Sequence, residues 1–131
     1  MKFSWLSSRK QGYQSRLWLD SKTFRGVRYA IRRISLGQRI ELTRKARELS
    51  LQNEFLRAGD ATDQLEAAFS ELLVRRMYLE WGLVSVEGLR IDGRPATPQS
   101  IAAHGPEPLA DEIIESLRAE LGLTEEERKN F

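Results

Sequence analysis

At 131 residues, with 40% hydrophobic and 31% charged side chains, the chain has the length for one hydrophobic core and the composition of a globular rather than a fibrous or disordered protein. It holds no cysteine, which excludes a disulfide framework and thiolate chemistry and fits a reducing compartment. The formal net charge of +2 conceals a division: residues 1–50 carry thirteen Lys/Arg against three Asp/Glu, a net of +10, and residues 51–131 carry eight against sixteen, a net of −8. Each half therefore offers a field to an oppositely charged surface.

Residues 1–15 are Ser-rich and basic, with Phe3, Trp5 and Tyr13 as their large side chains, and read as a flexible basic N-terminal arm ahead of one globular domain over 16–131. The opening residues lack the apolar run of a signal peptide, and no stretch approaches the roughly 18–20 apolar residues that span a bilayer. A cytoplasmic protein is expected. Segments 16–20 and 26–32 read as two strands. In the second, Val27, Tyr29 and Ile31 alternate with Arg28, Ala30 and Arg32, the period of a half-buried strand.

Ser35 and Gln38 form a capping box that opens a first helix running to Ala58 and stopped by Gly59. Asp60 caps a second helix, which runs to Trp81 and stops at Gly82 by the same left-handed device. So short a spacer predicts an antiparallel helical hairpin. Residues 83–86 and 89–91 read as extended, and Asp92-Gly93 is a hairpin-turn dipeptide. Thr97 and Pro98 are N-cap and N1 of a short helix ending near Gly105. Pro106 and Pro108 frame a further helix that ends at Leu121-Gly122, and Thr124 with Glu127 caps a small terminal helix. The expected class is α+β, mostly α-helical: an N-terminal β-hairpin, a long helical hairpin, a small β-turn segment and short C-terminal helices.

Both long helices are apolar on two sides. In the first, Leu42, Ala46, Leu49 and Leu56 share a stripe, and Ile40, Leu51 and Phe55 lie nearly opposite. In the second, Ala61, Leu65, Ala68, Phe69, Leu72 and Leu79 share one face, and Val74, Met77, Tyr78 and Trp81 cluster on the other. One stripe of each zips the hairpin; the strands or C-terminal helices cover the second, or part of it stays open as a docking surface. The sharper expectation is an open surface built from Ile40, Leu51, Phe55, Met77, Tyr78 and Trp81, rimmed by Arg25, Arg28 and Arg32. Met and aromatic residues suit adaptable interfaces.

Chemistry is sparse. His104 is the single histidine and sits at a helix C-terminus, where it favours the helix dipole. There is no G-x-S-x-G elbow, no phosphate-binding glycine loop and no calcium-loop spacing. The expectation is a non-enzyme with no cofactor and no metal. Nucleic acid is disfavoured, because Arg39, Arg44, Lys45 and Arg47 point in four directions around the first helix. A basic patch at Arg25, Arg28 and Arg32 keeps it as a second alternative.

Several pieces carry a resemblance in order: 26–29 (GVRY), 54–59 (EFLRAG), 78–83 (YLEWGL), 91–98 (IDGRPATP), 104–106 (HGP) and 122–130 (GLTEEERKN). Over residues 23–131 this pattern resembles the tail assembly chaperone proteins of tailed bacteriophages and prophages. The resemblance implies a cytoplasmic, non-enzymatic adaptor that coats the tape measure protein, helps recruit tail-tube subunits and leaves before the virion is complete. It implies no cofactor and no catalytic residues, and a longer frameshifted form occurs in many members. The alternative is a structural virion component, such as a connector or tail-completion protein. A second copy of the chain is a further candidate partner, since the two halves carry opposite charge.

Overall fold

The computed structural model describes residues 11–57 and 61–122, with side chains over 11–52 and 63–122. The N-terminal ten residues, the Gly59-Asp60 spacer and the capping box expected at Thr124–Glu127 lie outside the described residues.

The fold is mixed α+β. Strands β1 (Arg16–Asp20) and β2 (Arg28–Arg32) form the antiparallel hairpin expected from the alternation, in the register Leu17↔Ile31 and Leu19↔Tyr29. Tyr29 and Ile31 are buried as the alternation requires, and Val27, just ahead of β2, is buried with them. Ala30 is buried too, flanked in register by Trp18 and Ser85. Helices α1 (Leu36–Arg57) and α2 (Ala61–Gly82) follow. The capping box of α1 is made: the Gln38 N–H donates to Ser35 Oγ at 3.2 Å, and the Ser35 N–H to Gln38 Oε1 at 3.5 Å.

The end of α2 departs from expectation. Gly82 is the last helical residue, is not left-handed, and leads straight into β3 (Leu83–Glu87). Its lack of a side chain serves packing: a Cβ there would overlap Leu117 Cδ2. Strand β3 pairs antiparallel with β2, giving a three-stranded sheet in the order β1-β2-β3 with an irregularity between Ala30 and Ile31.

Two short strands, β4 (Arg90–Ile91) and β5 (Arg94–Pro95), are joined by Asp92-Gly93 with φ of 52° and 79°, the paired positive values of a type I′ turn. Helix α3 (Pro98–His104) starts at the expected cap, where Thr97 and Ser100 exchange side-chain-to-backbone hydrogen bonds of 3.1 and 2.8 Å. Helix α4 (Glu107–Leu121) ends at a left-handed Gly122. Arg39 of α1 donates to the Leu121 carbonyl, satisfying one of the acceptors that a helix end leaves open.

The core lies between the sheet, the C-terminal half of α2, and α3 and α4. It comprises Tyr29 and Ile31, Leu42 and Ala46, Val74, Tyr78 and Leu79, Leu83, Ile101, and the α4 row Leu109, Ile113, Leu117 and Leu121. The last four recur at intervals of four residues, the period of a helix buried on one face.

Candidate docking surface

The expected open surface divides once the chain folds. Ile40 and Leu51 are exposed on α1, and the side chain of Phe55 lies outside the described residues. Tyr78 does not belong to it. Its ring is only 1% exposed, with the Arg118 guanidinium 5.3 Å from the ring centroid, and burial, the larger effect, holds its phenol above the ordinary pKa despite that cation. Met77 and Trp81 are half-buried and pack against the core, though they also line a 350 Å³ cavity with Gln38, Glu41, Leu42 and Lys45. The face of α2 expected to stay open is therefore largely the packed one. The sheet and α4 supply an apolar wall there, and the aromatic side chains fill it.

The opposite face of α2 is left in water. Leu65, Phe69 and Leu72 are 72%, 56% and 53% exposed. With Arg76, also exposed, they recur at spacings of four, three and four residues. This is the a/d pattern by which one helix receives another. In the same stretch the hidden residues are small: Ala67 and Ser70 on α2, Ala46 and Ser50 on α1. The extensive contacts of α1 are with α2, so these small side chains mark the line where the two helices meet. Among the described residues, this part of the hairpin hides its small side chains and shows its large apolar ones, the reverse of the usual order.

The exposed row runs into a groove. Phe69 and Leu72 stand at one side of a 330 Å³ depression between α2, α3 and α4, whose walls include Leu73, Leu79, Ile101 and Ile114. Arg75 lies in it, paired with Glu107 at 3.5 Å and with Asp111. Arg76 also lines it, belongs to the exposed row and makes a loose contact with Glu80 at 3.9 Å.

The basic rim is partly spent within the molecule. Arg28 lies 4.9 Å from the Trp18 ring centroid and contacts Asp20 at 3.3 Å and Glu87 at 3.7 Å. Arg32 Nε donates to the Trp81 carbonyl at 3.0 Å. Arg25 is exposed. These contacts hold the strands to one another and to α2, and the Asp20 and Glu87 carboxylates offset the charge of Arg28.

One carboxylate on the acidic side of α4, where a merely solvated surface is the ordinary expectation, organises the other side. Glu112 of α4 accepts from Ser21 Oγ at 2.8 Å, from the Lys22 N–H at 2.9 Å and from the Thr23 N–H at 3.2 Å, with the Tyr29 hydroxyl 3.3 Å away. Burial pushes its pKa up, but these donors together outweigh burial and hold it below the ordinary carboxylate value. Tyr29 shares a further hydrogen bond of 2.8 Å with Ser116; burial, then the Glu112 charge, raise its pKa. No spacing rule could have found this cluster, because its members lie some ninety residues apart.

Elsewhere, His104 lines a 470 Å³ depression with Asp92, Arg94, Thr97 and Ser100 together with the apolar Ile91 and Pro95. No group of three or more metal-binding side chains occurs among the described residues. No helix among them is long and apolar enough to cross a membrane. Comparison of the chain with protein-family models, curated proteins and solved structures gave no match.

Proposed function

We propose that this chain is a non-enzymatic assembly factor that holds an amphipathic helix of another protein against α2. The observation that carries the reading is the outward row Leu65, Phe69, Leu72 and Arg76, spaced as one half of a two-helix seam and continuous with the groove beneath α2. The sequence pattern resembles phage tail assembly chaperones, and on that resemblance the client is the tape measure protein, a long helical chain. Tail-tube subunits would join the same complex.

Such a factor needs an adaptable apolar surface and no reaction chemistry. Co-expression with a tape measure protein tests the proposal. The expected result is a soluble complex in size-exclusion chromatography, lost with Leu65→Ser/Phe69→Ser. Unchanged client solubility with no co-eluting complex would overturn it. Mass spectrometry of purified particles addresses the virion-component alternative: an assembly factor is absent from them, whereas a connector is present in fixed stoichiometry.

A further inference from the structure

The exposed row on α2 carries opposite charges at its two ends, with its apolar residues between them. Glu66 is exposed at its N-terminal end and Arg76 at its C-terminal end, on either side of Phe69 and Leu72. We propose that, without a client, this surface is covered by a second copy of the chain, with the two α2 helices antiparallel about a two-fold axis passing between Phe69 and Leu72. In this arrangement Phe69 of each copy meets Leu72 of the other. Leu65 packs on the aliphatic stem of the opposite Arg76, whose guanidinium reaches the opposite Glu66, and the symmetry makes each contact twice.

A parallel pairing would place Glu66 beside Glu66 and Arg76 beside Arg76, which like-charge repulsion opposes. Self-pairing would thus shield the client surface, and a client would bind by displacing the second copy. The inference rests on the reading above only in assigning the row as the client surface; the pairing itself stands on the residues of α2.

The absence of native cysteine makes cross-linking a direct test. Leu65→Cys and Arg76→Cys are prepared separately, mixed and oxidised. Antiparallel pairing gives the mixed 65–76 disulfide. It gives little 65–65 product, since eleven residues of helix separate those positions by about 16 Å, beyond disulfide reach. Light scattering over a dilution series is expected to show a doubling of mass for the native chain and a monomer for Phe69→Ser. Circular dichroism should show that Phe69→Ser stays folded.

Arg76→Glu is expected to weaken the dimer at least tenfold, and Glu66→Arg/Arg76→Glu to recover it. A native chain that is monomeric throughout, a 65–65 product in place of the mixed one, or a Phe69→Ser dimer of unchanged strength would each overturn the proposal. None of these readouts requires a client. Failure of client binding leaves the cross-link pattern intact, and failure of self-pairing leaves client binding to be measured separately.

Discussion

The Glu112 carboxylate accepts the Ser21 hydroxyl at 2.8 Å, joining the loop after β1 to the middle of α4 across ninety-one residues of sequence. Two backbone N–H groups of the same loop point at that carboxylate, so the loop conformation and the position of α4 are fixed together.

Glu112→Gln keeps the shape and removes the charge, and it is expected to cost about 1–3 kcal/mol at neutral pH, the scale of hydrogen bonds to an ionised group. The native pKa of Glu112 lies below its unfolded value. Its contribution is therefore full above the unfolded pKa and is lost as pH falls through the lower folded one. The native-minus-variant difference in urea unfolding free energy should accordingly be constant from pH 7 to about 5 and shrink under acid. A difference that grows toward acid pH would contradict this assignment.

Tyr29→Phe removes the hydroxyl bonded to Ser116 and close to Glu112. A loss of about 1 kcal/mol is expected. Combined with Glu112→Gln, the two changes should be non-additive, because they share one hydrogen-bonded cluster. A double-mutant cycle in thermal unfolding measures the coupling; strict additivity would mean that the cluster does not act as a unit.

Gly82→Ala distinguishes helix propensity from packing. Propensity alone would reward alanine by about 1 kcal/mol. The contact with Leu117, itself 1% exposed, predicts the opposite sign and a cost of about 1–3 kcal/mol from overpacking. Paired with Leu117→Ala, the added methyl should be tolerated better than in the native background. Denaturant midpoints of the four proteins give the sign directly.

The two faces of α2 should respond differently to truncation. Tyr78→Ala removes a fully buried ring and is expected to cost about 3–5 kcal/mol, the scale of large-to-small changes in a core. Phe69→Ser, on the exposed row, should leave monomer stability within about 0.5 kcal/mol. Chemical unfolding at a concentration where the chain is monomeric compares them; equal losses would mean that Phe69 also belongs to the core.

What could be read from the sequence was whatever the chain settles within a few residues. The caps at Ser35 and Thr97, the Asp92-Gly93 turn and the end of α4 at Gly122 all depend on short-range hydrogen bonds or on backbone angles, and the structure keeps each of them. The alternation of β2 holds for Tyr29 and Ile31 but not for Ala30, which is buried as well because β2 is the central strand. Gly82 departs from the left-handed stop that the sequence suggests because a glycine at a helix end has two uses, a left-handed stop or a close approach. The second requires Leu117, thirty-five positions later.

The candidate surface was half legible for a similar reason. A helix with apolar side chains on two faces carries no mark of which one will be buried, since burial depends on the wall brought against it. Here the core takes in Tyr78 completely and Met77 and Trp81 in part, leaving Leu65, Phe69 and Leu72 outside. Residue order alone is enough for the four described helices, the caps at Ser35 and Thr97, the Asp92-Gly93 turn and the presence of two apolar faces on the long helices. Which face is core and which is surface, the completion of the sheet by residues 83–87 and the hold of Glu112 on the first loop all arise in the folded chain, because each depends on groups that meet when distant segments pack.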